Sequence, residues 1–411
     1  MPSSHTSAPR LSMRAERVQP FYVMEMAKAA AALAQQGGAP MIYLNIGEPD
    51  FVAPPLVQEA AQRALREGRS QYTPACGLPE LRERISQWYA SRFGLNIPAA
   101  RIVVTAGASA ALQLACLALI NAGDEVLMPD PCYPCNRQFV SMADGRPVLL
   151  PTGAAQRFQL DAAQVTAAWG AKTRGVLLAS PSNPTGTSIH PQALRDIHAA
   201  VQARGGFTLI DEIYLGLSHE AEYGRSALAL DENIISINSF SKYFCMTGWR
   251  LGWLVLPQAL TGAVEQMAQH LFICPSAIAQ HAALACFEPA SLAEYESRRA
   301  SFRERRDAFV PRLAALGLQV PVMPDGAFYA WADCTEAARR LAQRHPDALA
   351  FDEQNFNSQD FALALMRLAR IAVTPGRDFG ERGAARCIRF STASALPKLR
   401  KALARMESLL A

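Results

Sequence analysis

Residues 234–250 read IISINSFSKYFCMTGWR, and this stretch decides how the rest of the chain is interpreted. The β-branched residues of IISIN, at 234–238, predict a short strand, and Lys242 follows it among small and apolar residues. Desolvation disfavours an ammonium, so a lysine buried there can fall well below its ordinary pKa of about 10.4 and become a nucleophilic amine. The alternative for any single lysine is a solvated surface charge.

The residues around Lys242 indicate what it could bind. Ser239 and Ser241 flank it with hydroxyls, and Arg250 adds a guanidinium suited to phosphate. This set suggests a phosphorylated aldehyde. The string S-x-S-K followed by M-T-G-W-R resembles the Schiff-base segment of class I and II pyridoxal-phosphate aminotransferases, which have fold type I. The resemblance implies that Lys242 carries pyridoxal 5'-phosphate as an aldimine and that Ser239, Ser241 and Arg250 bind its phosphate.

Length and composition are those of an ordinary globular protein. The 411 residues favour two domains, and the chain is 50% apolar and 18% charged. The net charge of +4 is spread along the sequence, so no nucleic-acid partner is expected. The basic run RRASFRERR (298–306) has helical spacing and is interpreted as a solvated helix face.

The sequence predicts a cytoplasmic protein without a membrane partner. No signal peptide and no stretch of about 18 apolar residues is visible, and nine scattered cysteines fit a reducing compartment. Cys132 and Cys135 form a C-x-x-C motif. A zinc site would need a second pair, and a redox motif would need a thioredoxin-like context, so neither a metal nor redox chemistry is expected.

Strands and helices alternate over the middle of the chain. RGVLLAS (174–180), FTLID (207–211) and IISIN predict buried strands, after the strand-to-helix segment 101–120 and the strand EVLMP (125–129). This pattern predicts an α/β fold with a mostly parallel central sheet and helices on both faces. In such sheets ligands bind beyond the carboxyl ends of the strands. The residues found there are Asn183, Asp211, Tyr214 and Lys242.

Asp211, Asn183 and Tyr214 each have a chemical use at that edge. A buried carboxylate needs a cationic partner, and a protonated pyridine nitrogen is such a partner for Asp211. Asn183 and Tyr214 offer hydrogen bonds to the phenolate oxygen of the ring. The Asn183–Pro184 dipeptide also favours a turn, in which a cis bond is allowed, so structure alone could explain it.

Three further segments resemble the same family and supply cofactor contacts. Gly107, Ala108 and Ser109 lie where a strand turns into a helix, whose free N–H groups can bind phosphate. Tyr133, in DPCYPCN, is either a packing residue or the aromatic side chain that stacks on the pyridine ring. The string beginning at Tyr72 implies a homodimer, because this tyrosine reaches the cofactor phosphate of the neighbouring subunit in the family.

The resemblance also implies where the substrate binds. In G-E-P-D-F the backbone at Gly47 approaches the bound amino acid, and Asn183 borders the same position. Arg389, in RCIRFSTA (386–393), matches the arginine that grips the substrate α-carboxylate. Arg386 is then a surface or supporting residue.

A different pattern begins near residue 300 and predicts a second, smaller α+β domain. The expected division is a flexible N-terminus (1–13), an arm and part of the small domain (14–53), a large cofactor-binding domain (54–299) and a small C-terminal domain (300–411). Residues 334–359 exceed what the pattern requires and are interpreted as a partly helical insertion near the active-site mouth.

The resemblance implies an aminotransferase that moves an amino group from an L-amino acid to a 2-oxo acid by a ping-pong mechanism, with Lys242, Asp211 and Tyr214 as catalytic residues. A β-lyase on the same scaffold is an alternative. Some relatives specific for dicarboxylates have a lysine where this chain has Ser109. A neutral or apolar amino acid is therefore the expected donor, with aspartate as the alternative.

Overall fold

Three β-sheets form the framework of the chain, which a computed structural model describes at residues 9–18, 20 and 22–410. The strands in these residues are β1 (Ile42–Tyr43), β2 (Ile102–Thr105), β3 (Glu125–Asp130), β4 (Arg146–Pro151), β5 (Thr173–Ala179), β6 (Phe207–Asp211), β7 (Ile235–Ser239), β8 (Gly252–Val255), β9 (Tyr329–Asp333), β10 (Ile371–Ala372), β11 (Thr374–Pro375) and β12 (Cys387–Ser391). The helices are α1 (Met13–Arg17), α2 (Tyr22–Gln35), α3 (Pro55–Arg66), α4 (Pro79–Phe93), α5 (Ala108–Leu119), α6 (Pro134–Met142), α7 (Ala162–Ala168), α8 (Pro191–Gln202), α9 (Gln258–Phe272), α10 (Ala277–Leu284), α11 (Pro289–Leu313), α12 (Thr335–Arg344), α13 (Ser358–Ala369) and α14 (Leu396–Leu410).

The central sheet of the described chain has seven strands in the order β2-β8-β7-β6-β5-β3-β4. Strand β8 runs antiparallel to β2 and β7, and the other neighbouring strands are parallel. Parallel neighbours place their carboxyl ends at one edge of the sheet. The predicted α/β fold with a mostly parallel sheet is confirmed.

Helices cover both faces of this sheet. Val176 and Leu178 of β5 pack in one apolar cluster with Trp88 of α4, whereas Leu177 between them packs in another with Leu112 of α5. Successive side chains of a strand point to opposite faces, so the two clusters lie on opposite sides of the sheet. The near-continuous apolar sequence of β5 is therefore that of a strand buried on both faces.

The remaining strands form two small sheets. Strands β11, β12 and β9 pair antiparallel, and β1 pairs parallel with β10, Ile42 lying opposite Ile371. One apolar cluster joins Met26 of α2 to Phe309 of α11 and Leu403 of α14. Residues near the N-terminus thus share a core with the C-terminal part of the chain.

The predicted domain boundaries stay a prediction. Helix α11 is continuous across the expected boundary at 299/300, and β1 pairs with a strand more than 300 residues away in the sequence. Residues 1–8 of the predicted flexible N-terminus lie outside the described residues. None of the described helices combines the length and apolar character that crossing a membrane requires.

Strands β4 and β8 have no counterpart in the sequence prediction. Strand β4 (RPVLLP) contains Pro147 and Pro151 and lies at an edge of the sheet, where proline is tolerated although its sequence resembles a turn. Strand β8 is only four residues long and follows the lysine segment too closely to show a periodicity of its own. Both unpredicted strands lie at or next to an edge of the central sheet.

The solvated-face interpretation of 298–306 is wrong for Arg305 and Arg306, each of which is only 6% exposed. Arg305 donates to Asp50 Oδ1 at 2.7 Å, and its guanidinium lies 4.9 Å from the centre of the Phe51 ring. Arg306 donates to the Pro324 carbonyl at 2.7 Å. Helical spacing could not show this burial, because Asp50 is 255 residues away from Arg305 and Glu220, a further partner of Arg306, is 86 residues away.

The 334–359 segment is partly helical, as predicted. It contains α12 and then turns that lead to α13. Leu341, Leu349 and Phe356 pack in the cluster shared with α14. The segment therefore contributes to the core of the smaller part of the protein.

Candidate active site

The ends of β5, β6 and β7 open into one cavity of about 430 Å³, which residues of β9 and β12 also line. The cavity brings together all the predicted site residues except Gly107 and Tyr72: Gly47, Ala108, Ser109, Tyr133, Asn183, Asp211, Tyr214, Ser239, Ser241, Lys242, Arg250 and Arg389. None of its described lining residues comes from 334–359, and the predicted position of this segment near the mouth stays a prediction. Leu341 of the segment packs in the same apolar cluster as Leu403 of α14.

Lys242 lies three residues beyond the end of β7, and its side chain is only partly exposed. Its Nζ donates a hydrogen bond of 2.6 Å to the Gly47 carbonyl. The pKa of Lys242 is lowered to about 8, mainly by burial and also by the Arg389 and Arg250 guanidinium groups, against the opposing charges of Glu48 and Asp211. A sizeable fraction of this amine is therefore neutral near pH 8 and able to act as a nucleophile or base.

Asp211 ends β6 and is 4% exposed. Its Oδ1 accepts a hydrogen bond of 3.2 Å from the Ile213 N–H, and among the described residues it has no ion-pair partner within 4 Å. Burial raises the pKa of Asp211 to about 7, and the neighbouring Glu212 adds to the rise. A carboxylate in this position calls for a cationic group inside the cavity.

The next residue, Glu212, points away from the cavity and was not predicted. Its carboxylate accepts hydrogen bonds from Ser226 Oγ, Ser236 Oγ and the Ala227 N–H, at 2.8, 2.5 and 2.7 Å. Strand alternation sends Asp211 and Glu212 to opposite sides. Of the two adjacent acids, only Asp211 therefore faces a possible ligand.

Arg389 lies on β12 and is 3% exposed. Its Nη1 donates to Asn183 Oδ1 at 2.8 Å, and its Nη2 donates to the Asn45 carbonyl at 2.7 Å. The guanidinium lies 4.4 Å from the Tyr329 ring centre and 4.9 Å from that of Phe379. Within the described chain it has no carboxylate partner, so its charge remains available for an anion in the cavity.

The other predicted arginine, Arg386, behaves as a supporting residue. Its side chain is exposed and donates to the Glu353 carbonyl at 2.7 Å. The Asn183–Pro184 peptide bond is cis, as the turn interpretation allowed. Asn183 thus belongs both to a turn and to the cavity wall.

The start of α5 is built to receive an anion. Gly107 has φ +85°, no side chain caps the helix, and its first N–H groups are therefore free of intrahelical partners. A Cβ added to Gly107 would lie 2.6 Å from Arg250 Nη2, so the absent side chain lets the guanidinium approach the helix start. Ser239 and Ser241 line the same part of the site and are joined by a 2.9 Å hydrogen bond from the Ser241 N–H to Ser239 Oγ.

Two aromatic hydroxyls meet at the opposite wall. Tyr214 and Tyr329 are 2.7 Å apart at their hydroxyl oxygens, and a side chain on Gly47 would clash with the Tyr329 hydroxyl. Tyr133 also lines the cavity, and burial raises its pKa well above the ordinary value, so its phenol is neutral. Tyr329, the first residue of β9, also lines the cavity and was not predicted as a site residue.

Asn45 and three residues of α2, namely Val23, Met24 and Ala27, also line the cavity and were not predicted. Asn45 is 0% exposed, and neither of its amide atoms has a partner in the described chain. The G-E-P-D-F string that follows could have directed attention to Asn45. The sequence predicted α2 only as part of an N-terminal arm, and it contains no signal that would have assigned these three residues to the cavity.

Tyr72 lies outside the cavity and is 81% exposed. Cys132 is buried and Cys135 half-buried, and neither forms a disulfide in the described chain. Burial raises the pKa of Cys132 to about 12, which disfavours the reactive thiolate. No group of three or more metal-binding side chains occurs among the described residues.

Comparison with known proteins gives one consistent result. The family model for aminotransferase class I and II matches residues 39–406. A valine–pyruvate aminotransferase of Mycobacterium tuberculosis is 36% identical over 97% of this chain and 98% of its own, and an aspartate/prephenate aminotransferase of Thermus thermophilus is 33% identical over 97% and 98%. The crystal structure of an aminotransferase from Mycobacterium tuberculosis superposes with a TM-score of 0.89 at 35% identity, covering 98% of this chain and 99% of that one.

Proposed function

The chain belongs to the class I and II aminotransferases, enzymes that move an amino group from an amino acid to a 2-oxo acid, and we propose that it works with pyridoxal 5'-phosphate bound in the cavity around Lys242. One observation carries the proposal. An amine of lowered pKa, Lys242, and a buried carboxylate that forms no ion pair with the described part of the chain, Asp211, line the same cavity.

The residues of the cavity fit each part of this cofactor. Lys242 would supply the amine that binds the aldehyde, Asp211 would supply the charge that keeps the ring nitrogen protonated, and the start of α5 with Arg250 and the two serines would receive the phosphate. Asn183 and Tyr214 would hold the ring oxygen, and Tyr133 would contact the ring. When bound, the cofactor supplies an electron sink for the electron pair left when the substrate loses its Cα proton.

The chain's own residues then handle the substrate and its proton. Arg389, held by Asn183 and by the Asn45 carbonyl, binds the α-carboxylate. Lys242 Nζ takes the Cα proton and returns it later in the reaction, a role that typically contributes about 10²–10⁴-fold to the rate. Its lowered pKa favours this because a fully charged ammonium could not accept a proton. The hydrogen bond to Gly47 orients the amine.

We propose a neutral or apolar amino acid as the donor. The cationic side chains among the described lining residues are Lys242, Arg250 and Arg389. Each is already assigned to the cofactor or to the substrate α-carboxylate in this proposal. A dicarboxylate substrate would need a further cation at its side-chain end, whereas α2 presents the apolar residues Val23, Met24 and Ala27. The named relatives include both a valine–pyruvate and an aspartate/prephenate aminotransferase, so their names leave both classes open.

A panel of amino donors tests both parts of the proposal. The protein loaded with pyridoxal 5'-phosphate is mixed with single amino acids, and conversion of the aldehyde form to the pyridoxamine form is followed by absorbance. We expect conversion with valine, leucine or alanine and little with aspartate. A clear preference for aspartate would refute the substrate class, and absence of conversion with every amino acid would refute transamination through this cofactor.

We further propose a homodimer in the cytoplasm. The exposed Tyr72 matches the family residue that reaches the neighbouring subunit's phosphate, and an 81% exposed tyrosine fits a role outside its own chain. The nine cysteines are all free, which fits a reducing compartment. Sedimentation of the purified protein at about twice the mass of one chain would support the dimer, and a monomer with full activity would contradict it.

A further inference from the structure

Helix α2 contacts both the apolar core and the cavity. Met26 and Ala30 are buried in the apolar cluster shared with α14, whereas Val23, Met24 and Ala27 line the cavity that contains Lys242. Positions three and four apart lie side by side on a helix, so Val23 is next to Met26 and Ala27 is next to Ala30. The buried residues that anchor α2 therefore adjoin the residues that border the space next to the substrate-binding groups.

The start of α2 is held by a side chain from a distant turn. The buried Asp378 carboxylate accepts hydrogen bonds from the backbone N–H groups of Tyr22 and Val23, at 3.2 and 2.7 Å. The first N–H groups of a helix have no intrahelical partners, and a negative charge there is favourable. Asp378 thus fixes the end of α2 that borders the cavity.

The same turn also supports the substrate-binding arginine. Phe379, next to Asp378, places its ring 4.9 Å from the guanidinium of Arg389 and packs in a small cluster with Val23. Arg137 of α6 donates to the Asp378 carbonyl at 2.7 Å, so a hydrogen bond connects the turn to α6, which packs on the central sheet. One turn therefore sets the separation between α2 and Arg389.

We propose that Asp378 is a positioning residue for substrate selection: it holds α2 so that Val23, Met24 and Ala27 form the wall that limits the size of the amino-acid side chain. This inference rests on the proposed function, because it requires Arg389 to bind the α-carboxylate. With the carboxylate fixed at Arg389, the distance to α2 decides how large a side chain can be accommodated.

The far end of α2 offers a matched control. Arg370 donates to the carbonyls of Leu33 and Gly37, at 2.7 and 2.8 Å, and so pins the end of α2 that does not border the cavity. Arg370 has φ +55°, a conformation that asparagine tolerates. The variant Arg370→Asn loosens the helix without touching the wall.

Donor kinetics with alanine and phenylalanine test the proposal. In Asp378→Ala we expect kcat/KM for phenylalanine relative to alanine to rise at least about tenfold, with kcat for alanine changing less than about threefold. Asp378→Asn keeps one acceptor oxygen and should show a smaller rise. Arg370→Asn should leave the ratio within about threefold of the wild type. Equal losses for both donors, or the same ratio change in Arg370→Asn, would overturn the proposal.

Two further measurements separate this inference from the proposed function. Hydrogen exchange in the cofactor-free protein should accelerate at amides 22–27 in Asp378→Ala and near residues 33–37 in Arg370→Asn; unchanged exchange at 22–27 would contradict the anchoring role.

A substitution in the wall is the second measurement. Ala27→Leu should exclude phenylalanine from the cavity, whereas Ala29→Leu, on an exposed position of the same helix, should not. A wild type that converts no amino acid refutes the proposed function, whereas an active wild type with unaltered variants refutes only this inference.

Discussion

Lys242 and Asp211 show how the cavity changes the chemistry of two common side chains. Burial lowers the pKa of the lysine to about 8 and raises that of the aspartate to about 7. Desolvation opposes the charged form of each group, which explains why the shifts have opposite directions. A bound aldehyde would react with the neutral amine of Lys242. A protonated ring nitrogen would supply a cation next to the Asp211 carboxylate.

The Asp211 shift predicts a pH dependence of stability in the cofactor-free protein. The folded protein retains a proton that the unfolded chain releases near pH 4, so stability present at low pH is lost as pH rises towards about 7. Asp211→Asn should remove this slope. We expect the wild type to lose on the order of 1–3 kcal/mol more than the variant between pH 5 and 7 in urea unfolding. Parallel stability profiles would contradict the assignment.

At the scale of single residues, the sequence was sufficient to predict the site residues at the carboxyl ends of buried strands. Asp211 and Lys242 could be predicted because a charged residue at the end of an apolar strand, or within a few residues after it, needs a partner or a function. The burial of Asn45 could not be predicted, since it depends on β12, whose Arg389 is 344 residues away. The burial of Arg305 was missed for the same reason, because its partner Asp50 is 255 residues away.

Among the elements, the start of α5 has the clearest geometric requirement. The left-handed backbone at Gly107 and the close Arg250 guanidinium leave no room for a side chain. Gly123 has nearly the same backbone angle, φ +83°, but open space around its Cα. Alanine substitutions at the two glycines therefore separate the effect of backbone strain from the effect of displacing Arg250.

Gly107→Ala should weaken cofactor binding at least about tenfold, because the new methyl group displaces Arg250 from the helix start. Gly123→Ala also places a side chain at positive φ, which costs about 1–2 kcal/mol in stability, but should leave cofactor affinity unchanged. Equilibrium titration with pyridoxal 5'-phosphate, followed by absorbance, gives both affinities. Equal affinities in the two variants would show that Arg250 does not bind the phosphate.

The elements themselves were predictable where their pattern was long. The alternation of β5, α8 and β6 gave the parallel sheet, because strands buried on both faces are continuously apolar. Strand β8 was missed because its four residues gain their identity only by pairing between β2 and β7. The α2 face towards the cavity could not be predicted, since it depends on the Asp378 contact across the fold.

Across the whole molecule, the cavity is made by parts of the chain that are far apart in sequence. The central sheet contributes Lys242 and Asp211, β12 contributes Arg389, and β1 leads directly into Asn45 and Gly47. The parallel pairing of β1 with β10 brings the N-terminal residues to this side. If the protein is a dimer, Tyr72 adds a residue from a second chain.

Mixing two inactive variants tests the dimer. Lys242→Ala removes the amine and Tyr72→Ala removes the residue proposed to act in the neighbouring site. A mixed dimer contains one site with an intact Lys242 and an intact Tyr72, so refolding the two variants together should restore about a quarter of wild-type activity. The separately refolded variants are the control. No recovery, or full activity of Tyr72→Ala alone, would contradict a shared site.

The measurement that bears most directly on the central claim is the site of covalent attachment of the cofactor. The protein is incubated with pyridoxal 5'-phosphate, reduced with borohydride, digested and analysed by mass spectrometry. We predict a pyridoxyl group on the peptide that contains Lys242, and none on that peptide in Lys242→Ala. Stable attachment at another lysine, with Lys242 unmodified in the active protein, would contradict it.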